Sequence, residues 1–131
     1  MQRLDSLRRI LAVQRDLRRI AELRLAALNT QLQTVQANEE RLVSYLDEDH
    51  VFTPAYTKTI TDRLRALGRA RKRFEQERDE EAERLLQSMR RVHQTERLLE
   101  EVAEDWRRLK ERRELDEAIE AETNRRRASL P

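Results

Sequence analysis

Residues 4–46, LDSLRRILAVQRDLRRIAELRLAALNTQLQTVQANEERLVSYL, decide the fold of this chain. Steps of alternately three and four residues from Leu4 meet an apolar side chain at ten of thirteen positions. Those positions are Leu4, Leu7, Leu11, Gln14, Arg18, Ala21, Leu25, Leu28, Leu32, Val35, Glu39, Leu42 and Leu46. Apolar residues held at this spacing over six heptads indicate the a and d positions of a coiled coil, here termed the first seam.

A second seam follows a break at residues 47–53. Thr53 is suited to cap a helix, and Pro54 suits the first helical position, where its missing N–H costs nothing. Apolar residues then occupy ten of fifteen positions in the second seam. It comprises Ile60, Leu64, Leu67, Arg71, Phe74, Arg78, Glu81, Leu85, Ser88, Val92, Thr95, Leu99, Val102, Trp106 and Leu109.

The two seams predict an all-α fold, in which two long helices form an antiparallel coiled-coil hairpin with the second helix longer. Helix 1 is expected at about residues 2–47 and helix 2 at about residues 54–126, within one domain spanning 1–131. Two points stay open. Gly68 lies inside helix 2 and could bend it, and a domain-swapped dimer could exchange helices through the turn.

The amino-acid composition supports the coiled-coil hairpin and excludes several classes of function. Charged residues make up 41% of the chain, aromatic residues 4%, and there is one glycine. Such a chain lacks the turn residues and apolar material of a globular α/β core. The net charge of +2 gives no general case for binding nucleic acid or membranes. We expect a soluble cytoplasmic protein, because no stretch resembles a signal peptide or approaches membrane-spanning length. The chain has no cysteine and so forms no disulfide.

Folding the chain about residue 50 would pair position i with about 100 − i. This register places the acidic block 74–83 opposite the arginine-rich block 17–26. It also leaves roughly the last 30 residues of helix 2 without a partner helix, given the lengths expected for the two helices. Trp106, Leu109, Leu115 and Ile119 lie in that overhang. Uncovered apolar residues there favour a protein partner.

A further apolar line flanks the first seam and consists of Ile10, Val13, Leu17 and Ile20. It widens the apolar face beyond what one partner helix covers. A third helix or a protein partner could dock on it. An equally good explanation is that the aliphatic stems of neighbouring arginines half-cover these side chains.

Catalytic and ligand-binding motifs are not evident. One glycine cannot supply a phosphate-binding loop, and His93 has no glutamate three residues before it, as helical di-iron sites require. The acidic residues beside His50 are better explained as a solvated loop. The basic run 69–73 includes a seam position, Arg71, unlike the basic region of a leucine-zipper DNA binder. We therefore expect no enzymatic activity, no cofactor, no metal and no nucleic acid.

At this point the whole chain resembles the FliJ/YscO family, the stalk proteins of flagellar and virulence type III export ATPases. The resemblance rests on length, on the two-helix plan with a longer second helix, and on two local segments. Trp106-Arg107-x-x-Lys110 is similar to a segment late in the second helix of flagellar members. Leu115-Asp116-Glu117-Ala118, followed by the arginine-rich tail, is similar to their ending.

The resemblance implies a stalk whose helix ends insert into a hexameric export ATPase and whose turn end contacts the membrane export gate. Export chaperones are further partners of some members. The implied ring-facing residues are Ile10, Val13, Leu17, Ile20, Trp106, Leu109, Leu115, Ile119, Arg125, Arg126 and Arg127. Near the turn, Leu42 and Tyr45 match a gate-contacting pattern, whereas Asn38 and Asp49 differ from it.

Phe52 and Tyr56 are further candidates for a contact near the turn. The seam positions Ile60, Leu64 and Leu67 correspond to a second gate-contacting line, but hairpin core is the better explanation for them. The resemblance leaves open whether the system is flagellar or virulence-type. The alternative function is that of a structural or adaptor coiled-coil protein in another bacterial assembly.

Overall fold

A computed structural model describes residues 2–48 and 53–130 of the chain. Two α-helices account for nearly all of them, α1 at Gln2–Asp47 and α2 at Pro54–Ala128. The helices pack against each other, and no strand occurs among the residues described. The predicted fold class, an all-helical pairing of two long helices with the second longer, is therefore confirmed. No described helix is long and apolar enough to span a membrane.

The start of α2 has the cap that its sequence predicts. The backbone N–H of Tyr56 donates to Thr53 Oγ1 at 3.3 Å, and the N–H of Thr57 donates to the Thr53 carbonyl oxygen at 3.0 Å. Pro54 takes the first helical position, where it has no hydrogen bond to lose. Downstream, α2 continues through Gly68, which has no positive φ angle.

Contacts divide the chain into two compact units. Unit 1 comprises Met1–Gln14 and Arg91–Pro131, and unit 2 comprises Arg15–Arg90. Unit 1 thus joins the beginning of α1 to the later part of α2, whereas unit 2 contains the parts of both helices nearest the turn. The expectation that 1–131 behaves as a single domain remains a prediction.

Both seams are buried where the sequence places them. Every buried side chain among the described residues occupies one of the predicted seam positions. In unit 1 these residues are Leu4, Leu7, Leu11, Val92 and Thr95. In unit 2 they are Ala21, Leu32, Val35, Ile60 and Glu81. A narrow line of burial of this kind is what a two-helix coiled coil offers in place of a globular core.

Polar residues interrupt both seams and differ in how they are satisfied. In unit 2, the buried Glu81 accepts a 2.9 Å hydrogen bond through Oε2 from Nη1 of Arg84, one turn further along α2. In unit 1, Oε1 of Gln14 is buried and accepts no hydrogen bond. An unsatisfied buried acceptor loses its hydration without compensation. Gln14 is therefore a weak point of its seam.

The predicted side-chain partners are wrong by six to ten positions. The rule 100 − i pairs Glu39 with residue 61, but Glu39 contacts Arg71. It pairs Leu4 with residue 96, but Leu4 shares a cleft with Val102 and Trp106. Part of the reason is that helical side chains lean toward the N terminus of their own helix, by about one residue in each helix. In an antiparallel pair, side chains of α1 lean away from the turn and side chains of α2 lean toward it. A residue of α1 therefore contacts residues of α2 that lie further along the chain than the rule expects.

This correction also changes the expected overhang. Trp106 is half-buried and lines the same cleft as Leu4, so it does not lie in an uncovered arm. The exposed stretch of α2 begins after it. Residues 110–121 are all exposed, and they include Leu115 and Ile119. The uncovered arm is therefore shorter than the roughly 30 residues expected from helix lengths.

Candidate protein-interaction surfaces

Unit 1 contains a shallow cleft where the beginning of α1 meets α2. The side chains of Leu4, Val102, Trp106 and Leu109 form its apolar walls, and its volume is about 260 Å³. Arg3 and Asp105 line it as well, one charge of each sign. A cleft with a half-buried tryptophan and a charged border can accept an apolar side chain of a partner and orient it by hydrogen bonds.

Beyond this cleft, α2 forms an arm, defined here as residues 110–128, that carries two large aliphatic side chains. Leu115 is 61% exposed and Ile119 is 55% exposed. The two residues are four apart, so they lie on one face of the helix. Within the part of unit 1 that the structure describes, nothing covers them. The sequence-based expectation of an uncovered apolar arm applies to these two residues.

The three arginines near the end of α2 are held in the helix. Arg125 and Arg126 both form ion pairs with Glu122, and the second of these measures 3.4 Å between Nε and Oε1. All three arginines are exposed. Positive side chains in the last turn also interact favourably with the helix dipole. The helix continues to Ala128, two residues beyond its expected end at about residue 126.

The turn end of unit 2 brings two tyrosines together. Tyr45 of α1 and Tyr56 of α2 are both exposed, and their side chains share a hydrogen bond. That hydrogen bond, with the nearby Tyr56 and Glu48, raises the pKa of Tyr45 above its ordinary 10.0. The contact favours the neutral phenol, because it weakens when the proton leaves. An aromatic pair of this kind can present flat apolar area and hydroxyl groups to a partner.

The other residues expected to contact a partner near the turn lie in the hairpin core or outside the described residues. Leu42 is half-buried, and Ile60 is buried in the seam, with Leu64 and Leu67 half-buried beside it. These four residues stabilise the helix pair and offer little surface to a partner. Phe52, together with Asp49 and His50, lies outside the described residues. The predicted contact near the turn therefore depends on Tyr45 and Tyr56.

The apolar line beside the first seam is exposed in both units. Ile10 and Val13 are exposed in unit 1, and Leu17 and Ile20 are exposed in unit 2. These four side chains are 44–58% exposed, which is compatible with partial coverage by arginine stems. The sequence reading missed Leu23, which is more exposed than any of them. Its spacing of three from Ile20 could have revealed it.

Exposed apolar residues also occur on α2, and the sequence reading did not single them out. Leu86 and Met89 are exposed in unit 2, and Leu98 is exposed in unit 1. They lie outside the second seam, and a search restricted to seam positions passes over them. The first two, three residues apart, form a small patch.

Ligand-binding chemistry is not evident in the described residues. Among them, no group of three or more histidine, cysteine or acidic side chains is arranged to hold a metal ion. What the two units present instead are exposed apolar side chains bordered by charges, the composition of surfaces that bind other proteins. Comparison of the chain with protein-family models, with curated proteins and with solved structures gives no match.

Proposed function

We propose that this protein is a non-enzymatic stalk of a bacterial type III export apparatus that binds the export ATPase ring and the export gate. The proposal follows the resemblance to the FliJ/YscO family. It would place the protein in the cytoplasm, at the periphery of the inner membrane through the apparatus. Export chaperones are further proposed partners.

The observation that carries the proposal is the composition of unit 1. This unit combines the first turns of α1 with the arm of α2, so both chain ends belong to one compact body. Leu115 and Ile119 are exposed on that arm. A stalk that inserts its helix ends into a ring needs an apolar surface at those ends. The cleft at Trp106 adds a second apolar contact in the same unit.

The charges of unit 1 fit the same role. Arg125, Arg126 and Arg127 form a basic last turn beyond the apolar pair Leu115 and Ile119. Such a turn can approach acidic loops of a ring and select the orientation of insertion. The tyrosine pair of unit 2 would serve the contact with the export gate. Each proposed partner therefore has a separate surface, and the two can be tested independently.

The test is a binding experiment with the export ATPase of the same organism. We expect the chain to bind the assembled hexamer with one copy per ring, and the double variant Leu115→Glu/Ile119→Glu to lose binding. Leu86→Glu/Met89→Glu is the matched control, because it adds the same charges to exposed positions of unit 2. Retained binding by the Leu115/Ile119 variant, or no binding by the unmodified chain, contradicts the proposal.

A second candidate function is that of a structural or adaptor coiled coil in another bacterial assembly. It is favoured by Leu23, Leu86 and Met89, which are exposed in unit 2 and are not among the ring-facing residues that the resemblance implies. Genomic neighbourhood separates the two candidates directly. An adjacent gene for an export ATPase supports the stalk, and its absence from the genome supports the adaptor.

A further inference from the structure

Three exposed aliphatic side chains lie in a row on α1 in unit 2. Leu17, Ile20 and Leu23 are 51%, 44% and 62% exposed. Spaced by three residues, they form one face of the helix, here termed the α1 outer stripe. Covering such exposed aliphatic side chains lowers the free energy, because burial removes apolar area from water.

The sequence around the stripe is DLRRIAELR, at residues 16–24. When a second copy of this segment runs in the opposite direction, complementary residues face each other. Reversal about Ile20 sets each residue i against residue 40 − i. Leu17 then meets Leu23, Ile20 meets itself, and Asp16 meets Arg24. Apolar residues are matched with apolar residues, and the acid at one end is matched with the base at the other. A second copy laid antiparallel on the stripe satisfies this pattern.

Charge decides between the two possible orientations. An antiparallel copy brings Asp16 of each chain to the level of Arg24 of the other, at both ends of the stripe. A parallel copy would set Asp16 beside Asp16 and Arg24 beside Arg24. Opposite charges stabilise a helix contact and like charges oppose it. The charge pattern therefore favours the antiparallel copy.

These two charges are also available for such a contact. Among the described residues, neither Asp16 nor Arg24 has an ion pair, and both are exposed. Arg18, by contrast, pairs with Glu22 on its own helix at 3.7 Å between Nε and Oε1. Asp16 and Arg24, which the antiparallel arrangement sets opposite each other, are therefore available for a contact between copies, whereas Arg18 and Glu22, which it also sets opposite each other, are already paired within one chain.

We propose that the α1 outer stripe is a self-docking surface, on which a second copy of this chain packs antiparallel about Ile20. The contact is isologous, since the same patch serves both copies, and it closes at two. It is independent of the proposed function. Three aliphatic side chains per copy form a patch well below the roughly 1,200 Å² of a stable interface, so the dimer is weak and depends on concentration.

Sedimentation equilibrium between about 10 and about 500 µM, the range in which weak complexes form, measures this dimer directly. We expect the unmodified chain to shift from monomer to dimer across that range. Ile20→Glu places two like charges on the two-fold axis and should be monomeric throughout. Leu86→Glu changes an exposed leucine elsewhere in unit 2 and should dimerise like the unmodified chain. Circular dichroism establishes that both variants are folded.

A charge reversal tests the pairing of the stripe ends. Asp16→Arg and Arg24→Asp should each raise the dimer dissociation constant, by about fivefold for two exposed pairs. The double variant Asp16→Arg/Arg24→Asp restores opposite charges and should return the constant to near its original value. If the double variant stays as weak as the single ones, the pairing of Asp16 with Arg24 is wrong.

Cross-linking tests the orientation, because the chain has no cysteine of its own. Leu17→Cys and Leu23→Cys proteins are mixed and treated with a short bis-maleimide. The antiparallel contact predicts that mixed 17–23 products exceed 17–17 and 23–23 products. A monomer at every concentration, a dimer unaffected by Ile20→Glu, or a preference for 17–17 and 23–23 products each overturns the proposal.

Discussion

Arg71 of α2 donates a hydrogen bond from Nε to Oε1 of Glu39 of α1, with 3.0 Å between the two atoms. Both residues occupy seam positions, and their side chains are about one-third and one-fifth exposed. A second ion pair, from Arg71 Nη1 to Glu75 on its own helix, measures 3.5 Å. The charges in the seam of unit 2 therefore stabilise each other across the helix pair.

Removal of one member of this pair should destabilise the protein, and removal of both should not. Glu39→Leu or Arg71→Leu leaves a half-buried charge without its partner across the helices, and we expect each to lower the free energy of unfolding by about 1–2 kcal/mol. The double variant Glu39→Leu/Arg71→Leu extends the apolar seam and should be at least as stable as the original chain.

Urea denaturation followed by circular dichroism measures these three free energies. The control is Glu77→Leu, which removes an exposed pair with Arg73 at 4.0 Å and should change stability by less than about 0.5 kcal/mol. A double variant less stable than both single variants contradicts the prediction.

Gln14→Leu should stabilise the protein. The buried Oε1 of Gln14 accepts no hydrogen bond, and leucine fits an apolar seam position without leaving an unsatisfied group. We expect a gain of about 1 kcal/mol in the free energy of unfolding. Gln33, exposed on the same helix, provides the control, since Gln33→Leu should have almost no effect. A loss of stability in Gln14→Leu would show that the amide is satisfied.

Leu32 and Leu23 should respond very differently to the same truncation. Leu32 is 4% exposed in the seam, whereas Leu23 projects from the outer stripe of the same helix. We expect Leu32→Ala to cost about 2–3 kcal/mol of unfolding free energy. Leu23→Ala should cost less than about 1 kcal/mol at dilute protein concentration. Equal losses at the two positions would contradict the burial pattern.

Gly68→Ala should stabilise α2. A methyl group added at Gly68 meets no atom within 4 Å, and the residue has ordinary helical geometry. Alanine reduces the backbone entropy lost on folding, which in a helix interior is worth about 1 kcal/mol. The exposed Ala66 gives the reverse experiment, because Ala66→Gly should lose a similar amount. The two thermal midpoints should move in opposite directions.

The contact between Tyr45 and Tyr56 should make the turn end sensitive to alkaline pH. Because the folded-state pKa of Tyr45 is raised above its ordinary 10.0, the contact contributes fully below that pH. Its contribution is lost as pH rises through the higher folded-state value. Ultraviolet titration of the phenolate should show late ionisation of Tyr45 and its return toward the ordinary value in Tyr56→Phe. An unchanged titration in that variant would rule out the contact as the cause.

The heptad spacing allowed the seams to be predicted from sequence because burial in a coiled coil follows a fixed period. Leu32 and Val92, for example, are buried at positions that the spacing assigns to the seam. Pro54 similarly marks the start of α2, since proline at this position has few other roles. These features depend on residues close together in the chain, where spacing alone is sufficient.

Partners across the helix pair were harder to predict. The contact of Arg71 with Glu39 depends in part on how far these two long side chains extend along their helices, and a rule based on the middle of the turn omits that distance. The same omission assigned Trp106 to an uncovered arm. Leu23 is a different case, because it continues the spacing of the exposed apolar line that ends at Ile20 and does not belong to the seam.

The arm of α2 differs from the rest of the helix in what maintains it. From residue 110 to residue 121 no side chain is buried, so the helix there depends on interactions along its own surface. Glu104 pairs with Arg107 and Arg108 before this stretch, and Glu122 pairs with Arg125 and Arg126 after it. Such pairs weaken as the screening length falls from about 10 Å at 0.1 M salt to about 3 Å at 1 M. We therefore expect high salt to weaken the helix on both sides of this stretch, whereas the seams, buried mainly through apolar side chains, should respond less to salt.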